Sequence, residues 1–202
     1  MVSHGQGEAI EYLISQKWSI ESGDTFLTAC PYKGNVSDDC LEALSKIHDL
    51  TGLDLHCTNL QDKHLVYIQE LTSLRVLNLR GTKISDDAFE CFHELTCLQY
   101  FWLNYTCLFG RGINNIMHFK SLKKLFLGNT KIVDEAMEYV SCIESIEYLA
   151  LANTRVTDAG VIKLSRLPKL SFLDIANTAV TLSCVDKIKQ KRPSLEISVD
   201  DY

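Results

Sequence analysis

Five histidines, His48, His56, His64, His93 and His118, are the side chains of this sequence best suited to take up a proton near neutral pH, because imidazole titrates there without perturbation. A general base also needs partners. Asp54 lies two residues before His56, so an extended backbone would put both on one face, with Asn78 and Arg80 offered by the next extended segment. An enzyme using His56 and Asp54 is therefore one reading. No nucleophile column, glycine-rich phosphate loop or metal pair accompanies these residues, and no cofactor is implied. His56 reads better as a surface residue near a binding edge.

The carboxylates and thiols invite catalytic or metal readings and support neither. Asp38, Asp39, Asp62, Asp86, Asp87, Asp134, Glu135 and Asp158 recur at equivalent places. Ser37, Ser85 and Thr157 precede several of them as helix N-caps, and acids in a first helical turn complement its dipole. Paired catalytic carboxylates would share one pocket, whereas these repeat along an edge. Eight cysteines (Cys30, Cys40, Cys57, Cys91, Cys97, Cys107, Cys142 and Cys184) are scattered without a CxxC. The chain is too large and too apolar for a disulfide-stapled miniprotein, so free thiols in a reducing cytosol are expected. No Cys/His grouping has zinc-ligand spacing.

The spacing that organises everything else is structural. Thr58, Thr82, Thr106, Thr130, Thr154 and Thr178 stand 24 residues apart without a slip. Around them run apolar columns: Leu50, Leu74, Leu98, Leu122, Ile146 and Leu170, then Leu53, Leu77, Phe101, Leu125, Leu149 and Leu173, then Leu55, Leu79, Leu103, Leu127, Leu151 and Ile175. The last two columns alternate in, out, in, the period of a strand with one buried face. Leu60, Ile84, Leu108, Ile132, Val156 and Val180 turn back inward, and Ile47, Leu71, Leu95, Phe119, Ile143 and Leu167 close each coil. A single repeat of this kind cannot bury its apolar side; a stack can.

This pattern resembles the leucine-rich repeat family, in its LxxLxLxxTxIxD variant, over residues 47–191. The resemblance implies an α/β solenoid: a curved horseshoe segment with a parallel concave sheet and convex helices. Threonine stands where many family members carry asparagine, and its buried hydroxyl should bond backbone groups of the turn after the strand. Family members mostly bind proteins, in contexts that include bacterial effectors delivered into host cells and adaptors. The roughly 24 residues before the degenerate first repeat are too few for an F-box.

The ends should cap the stack. Residues 1–46 are expected to hold a capping helix over 8–18, with Ile10, Leu13, Ile14 and Trp18 on one face, and a degenerate first repeat from Phe26. This helix is also a candidate interaction element. Residues 47–191 form six repeats, and 192–202 a closing strand followed by a frayed tail at Asp200, Asp201 and Tyr202. Repeat three departs from the pattern: CLFGRGINNIMHF replaces the usual Asp with Gly110 and adds Gly112, so a regular capped helix is not expected there. Degeneration explains this better than a reshaped binding loop.

Because the register is fixed, the outward strand residues can be assigned. Tyr100, Trp102, Phe126, Tyr148 and Phe172 should form one patch across four strands about 4.8 Å apart. Asn78 adjoins it, and Arg75, Arg80, Lys123 and Lys124 add a basic rim. The small Gly128, Ala150, Ala152 and Ala176 should leave a hollow at one edge. Exposed aromatic patches mark interaction surfaces, so the expected activity is non-enzymatic binding of a protein or peptide. The alternatives are a self-assembling scaffold, for instance a homodimer, or cover of the patch by the N-terminal helix.

Composition sets the remaining bounds. The chain has 202 residues, 46% of them hydrophobic, enough for one domain with a substantial core. A net charge of −6 argues against nucleic acid as the main target. No apolar run is long enough to span a membrane. The opening MVSHGQGEAIEYLISQKW lacks a basic stretch followed by an apolar one. A cytoplasmic location follows, or delivery into a host cytosol without a cleaved signal.

Overall fold

A computed structural model describes residues 4–22, 27–31 and 34–199. The alternating columns become strands three residues long, too short to stand alone and stable only in a stack. The chain runs α1 (His4–Ser15), β1 (Trp18–Ser22), β2 (Leu27–Pro31), α2 (Asp38–Ser45) and β3 (Gly52–Asp54), followed by a 3₁₀ segment at Asp62–Tyr67. Next come β4 (Val76–Asn78), a 3₁₀ segment at Asp86–Cys91, β5 (Tyr100–Trp102) and a third 3₁₀ segment at Ile113–His118. β6 (Lys124–Phe126), α3 (Asp134–Val140), β7 (Tyr148–Ala150), α4 (Asp158–Leu164), β8 (Phe172–Asp174), α5 (Leu182–Lys191) and β9 (Glu196–Ser198) complete it.

All nine strands lie in one sheet in chain order, β1 to β9. β1 pairs antiparallel with β2, and every later pairing is parallel with one coil per step: Leu53 opposite Leu77, Leu77 opposite Phe101, and so on to Leu173 opposite Ile197. The architecture is the α/β solenoid expected from the repeat. The inward columns are buried, with Leu53, Leu77, Phe101, Leu125, Leu149 and Leu173 no more than 1% exposed. At repeat three the core is aromatic, because Phe101 packs edge-on against Phe92 and against Phe119.

Each threonine of the 24-residue series donates its hydroxyl to the carbonyl three residues earlier, at 2.5–2.7 Å, from Thr58 to Leu55 O through Thr178 to Ile175 O. The residue before each threonine is left-handed: Cys57, Gly81, Tyr105, Asn129, Asn153 and Asn177 have φ between 51° and 69°. Glycine and asparagine adopt that region readily, cysteine and tyrosine at a cost. So the turn that ends each strand is a left-handed residue followed by a hydroxyl that ties off the strand's last inward carbonyl.

The acidic series does more than complement helix dipoles. Ser37, Ser85 and Thr157 are N-caps, but the carboxylates reach into the following coil. Asp62 accepts from the Ser85 amide and hydroxyl, Asp134 from those of Thr157, and Asp158 from those of Thr181. Each acid therefore holds the cap residue of the next convex segment. In repeat three the same task falls to backbone alone, since Asp86 accepts from the amides of Phe109, Gly110 and Arg111 at 2.9–3.0 Å. Gly110, at φ +97°, also lies where a Cβ would stand 2.8 Å from Ala136 Cβ. The glycines of this loop serve packing.

Three differences from the expected elements stand out. The convex segments of the first three full repeats are 3₁₀ turns; α-helices occupy that side at α2 and from α3 onward. The N-terminal helix spans His4–Ser15 and ends before Trp18, because Lys17 turns the chain at φ +65° and Trp18 opens β1. Leu13 is buried on that helix whereas Ile14 is 54% exposed. The end of the stack is closed by α5 and β9, with the Arg192 guanidinium donating to Leu167 O and Leu170 O. Phe26, Asp200, Asp201 and Tyr202 lie outside the described residues.

Two outcomes are expected. Thr130→Val should lower stability by about 1–2 kcal/mol, since it leaves a buried carbonyl without its donor, and Thr130→Ser should lose less; urea midpoints distinguish them. The Asp158 carboxyl is held below the usual carboxylate range by the Thr181 amide and then its hydroxyl. Its contribution is complete above the unfolded value near 3.9 and is lost as pH falls through the lower folded value. The midpoint gap between wild type and Asp158→Asn should therefore be present at pH 7 and close on acidification toward pH 2.

Candidate functional site

Outward residues of consecutive strands face one another in register. Tyr100, Lys124, Tyr148, Phe172 and Glu196 form one row; Asn78, Trp102, Phe126, Ala150 and Asp174 form the next. With strands about 4.8 Å apart, aromatic neighbours in a row meet ring to ring. Trp102 stacks on Phe126 with centroids 5.1 Å apart and planes 5° from parallel. Tyr148 stacks on Phe172 at 4.7 Å and 8°. Tyr100 joins Trp102 at 6.2 Å, and Phe126 bridges diagonally to Tyr148 at 5.1 Å. The five rings make one unbroken ladder, each of them half-buried.

Lys124 stands within the ladder. It pairs in register with Tyr100 on one side and Tyr148 on the other, and its ammonium lies 5.8 Å from both ring centroids. Ring faces carry negative charge density, so the cation is held where it sits. Arg80 lies further out, its guanidinium 5.2 Å from the Tyr105 ring. Tyr105 is 52% exposed and occupies a left-handed position, an aromatic where the other coils mostly hold glycine or asparagine.

Two sequence-derived site residues prove to be partly occupied at home. Asn78 Oδ1 accepts from the Arg80 amide, two residues on. Asp54 does the same with the amide of His56, and Asp174 with that of Ala176. This recurring turn explains the Asp54–His56 pair: Asp54 Oδ1 also meets His56 Nδ1 at 2.7 Å, but the carboxylate's position is set by the strand end. No serine, cysteine or threonine completes a catalytic arrangement with the pair among the hydrogen bonds of the described residues. The hollow expected beside the rings is largely filled. Ala150 and Ala176 are buried, and a Cβ on Gly128 would lie 3.1 Å from Ala152 O. Small residues there let successive turns approach.

The N-terminal helix packs on α2 and β1, at the end of the stack. A cleft of about 620 Å³ lies away from the sheet face, lined by Asp86, Phe89, Glu90, Cys107, Phe109 and Arg111 among others. Of its carboxylates Asp86 is already held by three amides, and the open sheet face offers the better-built surface. The seven cysteines described are free thiols; Cys57, Cys97, Cys107 and Cys142 are exposed. No helix among the described residues is long and apolar enough to cross a membrane.

Sequence reasoning missed the left-handed residue of each coil. Its signal was present, in the Gly81, Asn129, Asn153 and Asn177 that precede four of the six threonines. Tyr105→Asn should stabilise the fold by up to about 1 kcal/mol, because asparagine tolerates the left-handed region that tyrosine resists. Thermal melts of the two proteins check this, and a fall in stability would show that the Arg80 contact outweighs the backbone cost.

A family model described as Leucine Rich repeat matches residues 70–92. No curated protein matches the sequence. Among solved structures, the chain is similar to an internalin C2 from Listeria monocytogenes at 15% identity and TM-score 0.68, covering 97% of this chain and 92% of that one. It is also similar to an internalin (inlF) from the same organism at 17% identity and TM-score 0.62, covering 80% of this chain and 50% of that one. A leucine-rich repeat protein from Leptospira interrogans is similar at 20% identity and TM-score 0.61, with 79% of this chain and 39% of the other covered. The chain thus spans well under two thirds of the length of the last two.

Proposed function

We propose that this chain, a leucine-rich repeat solenoid, is a non-enzymatic protein-interaction module that binds a protein or peptide through the ring ladder of Tyr100, Trp102, Phe126, Tyr148 and Phe172. The observation that carries the reading is the ladder itself: five aromatic side chains meet ring to ring on the open face of a sheet, three of the contacts stacked and one tilted. The solenoid's own core, buried behind the strands, has no use for them. Aromatic residues dominate binding hot spots because they bury large area with few rotors to immobilise. Lys124 and Arg80 contribute charge at and beside the ladder, and Asn78 adjoins Trp102.

A cytosolic setting is supported by the exposed free thiols, and an adaptor or effector role is the context that the repeat pattern suggests there. The fold itself favours protein partners over substrates.

Affinity capture by wild type beside a Trp102→Ala/Phe126→Ala variant tests the reading. Bound partners should fall by at least about 30-fold, in line with two hot-spot losses. The melting temperature should drop only by a few degrees, the share of the lost ring contacts. Equal capture by both proteins would remove the ladder from the interface. A wild-type dimer in light scattering that the double variant lacks would favour self-assembly instead.

A further inference from the structure

The geometry of the ladder restricts what can bind it. Trp102 has Tyr100 on one side and Phe126 on the other; Phe126 has Trp102 and Tyr148; Tyr148 has Phe126 and Phe172. Trp102 with Phe126, and Tyr148 with Phe172, are close parallel stacks, so those ring faces are taken. A nucleic-acid base or a sugar needs an open ring face to stack upon, and the stacked faces do not offer one. Aromatic edges carry the positive part of the ring quadrupole, so the edges of stacked rings favour carbonyl and carboxylate oxygen.

The polar groups of the face agree. Neither Lys124 nor Arg80 has an ion-pair partner among the described residues, although the protein as a whole carries a net charge of −6. Both cations rest on tyrosine rings, at 5.8 Å and 5.2 Å. The Trp102 indole N–H and the Tyr100 hydroxyl have no hydrogen-bond partner among the described residues. A peptide backbone offers both N–H and C=O.

Charge also fixes where an acid belongs. Asp54 lies toward one end of the outward rows, and Asp174 and Glu196 toward the other; Lys124 lies between them. From β3 to β8 the face runs about 24 Å, the reach of about seven extended residues.

We propose that the partner presents an extended peptide segment with an Asp or Glu seated on Lys124, flanked by apolar residues packed against the ladder, and with its backbone polar groups meeting the Trp102 indole N–H and the Tyr100 hydroxyl. This rests on the reading of the sheet face as the binding surface and adds the chemistry of its occupant.

Selection of displayed random decapeptides on the intact chain tests it. Wild type should enrich peptides with an acid among apolar residues. A chosen peptide should lose at least tenfold in affinity to Lys124→Glu, and likewise when its acid is replaced by Gln. The Lys124→Glu protein should regain binding when the peptide's acid is replaced by Lys. Circular dichroism melts verify that each variant is folded. Enriched peptides that lack an acid, or ignore Lys124→Glu, yet fail on Trp102→Ala/Phe126→Ala, overturn the acidic occupant while leaving the face as the site. Peptides indifferent to all these variants, or no enrichment, overturn both. Binding of oligothymidylate or of anionic vesicles that displaces the peptide and requires Lys124 overturns the peptide in favour of a polyanion.

Discussion

One small hydrogen bond recurs at every coil, and the usable surface of this protein depends on it. A threonine hydroxyl bonds the last inward carbonyl of its own strand, after a residue in the left-handed region. That turn leaves the sheet at the same place each time, so successive strands pair without offset. A slip of one residue would flip each strand's faces, putting Phe101 or Leu125 in water and Trp102 or Phe126 in the core. The buried hydroxyls carry no chemistry of their own. They are what makes the outward rows possible.

A second constraint acts between coils rather than within them. Parallel strands joined by long convex segments need something to keep those segments in step, and the Asp series supplies it by binding the cap residue of the next coil. Repeat three lacks the aspartate, and the loop around Gly110 instead receives Asp86 through three amides. The irregular loop and the most aromatic strand belong to one coil, which has large rings on both sides of its backbone at Tyr100, Phe101 and Trp102. Variation here sits within a framework that its neighbours hold.

Much of this was legible from residue spacing. A strict period with alternating apolar pairs tells inside from outside, so the ladder residues and the core columns could be named before any coordinates. What spacing does not carry is the partner of a polar group. Asp62 and Asp134 look like helix-dipole residues in one dimension, and only the stack reveals that their ligands lie 23 residues on. Trp18 read as part of a helix face because its spacing from Leu13 and Ile14 fits one; the left-handed Lys17 breaks that helix, and nothing in the residue type demanded it. Asn78 and Asp54 looked like binding and catalytic groups because the pattern does not show that their oxygens fold back on the strand end.

The two tryptophans stand in contrasting settings, and this makes the molecule optically self-reporting. Trp18 is 5% exposed at the closed end of the stack. Trp102 is half-buried on the open face, lying against Phe126 at 5.1 Å. With Trp102 replaced by phenylalanine, emission follows the end cap alone; with Trp18 replaced, it follows the sheet face. Opening of the curve would spread the side-chain tips on the inner surface faster than the backbone beneath them, so the indole's spectrum tracks how tightly the horseshoe is bent.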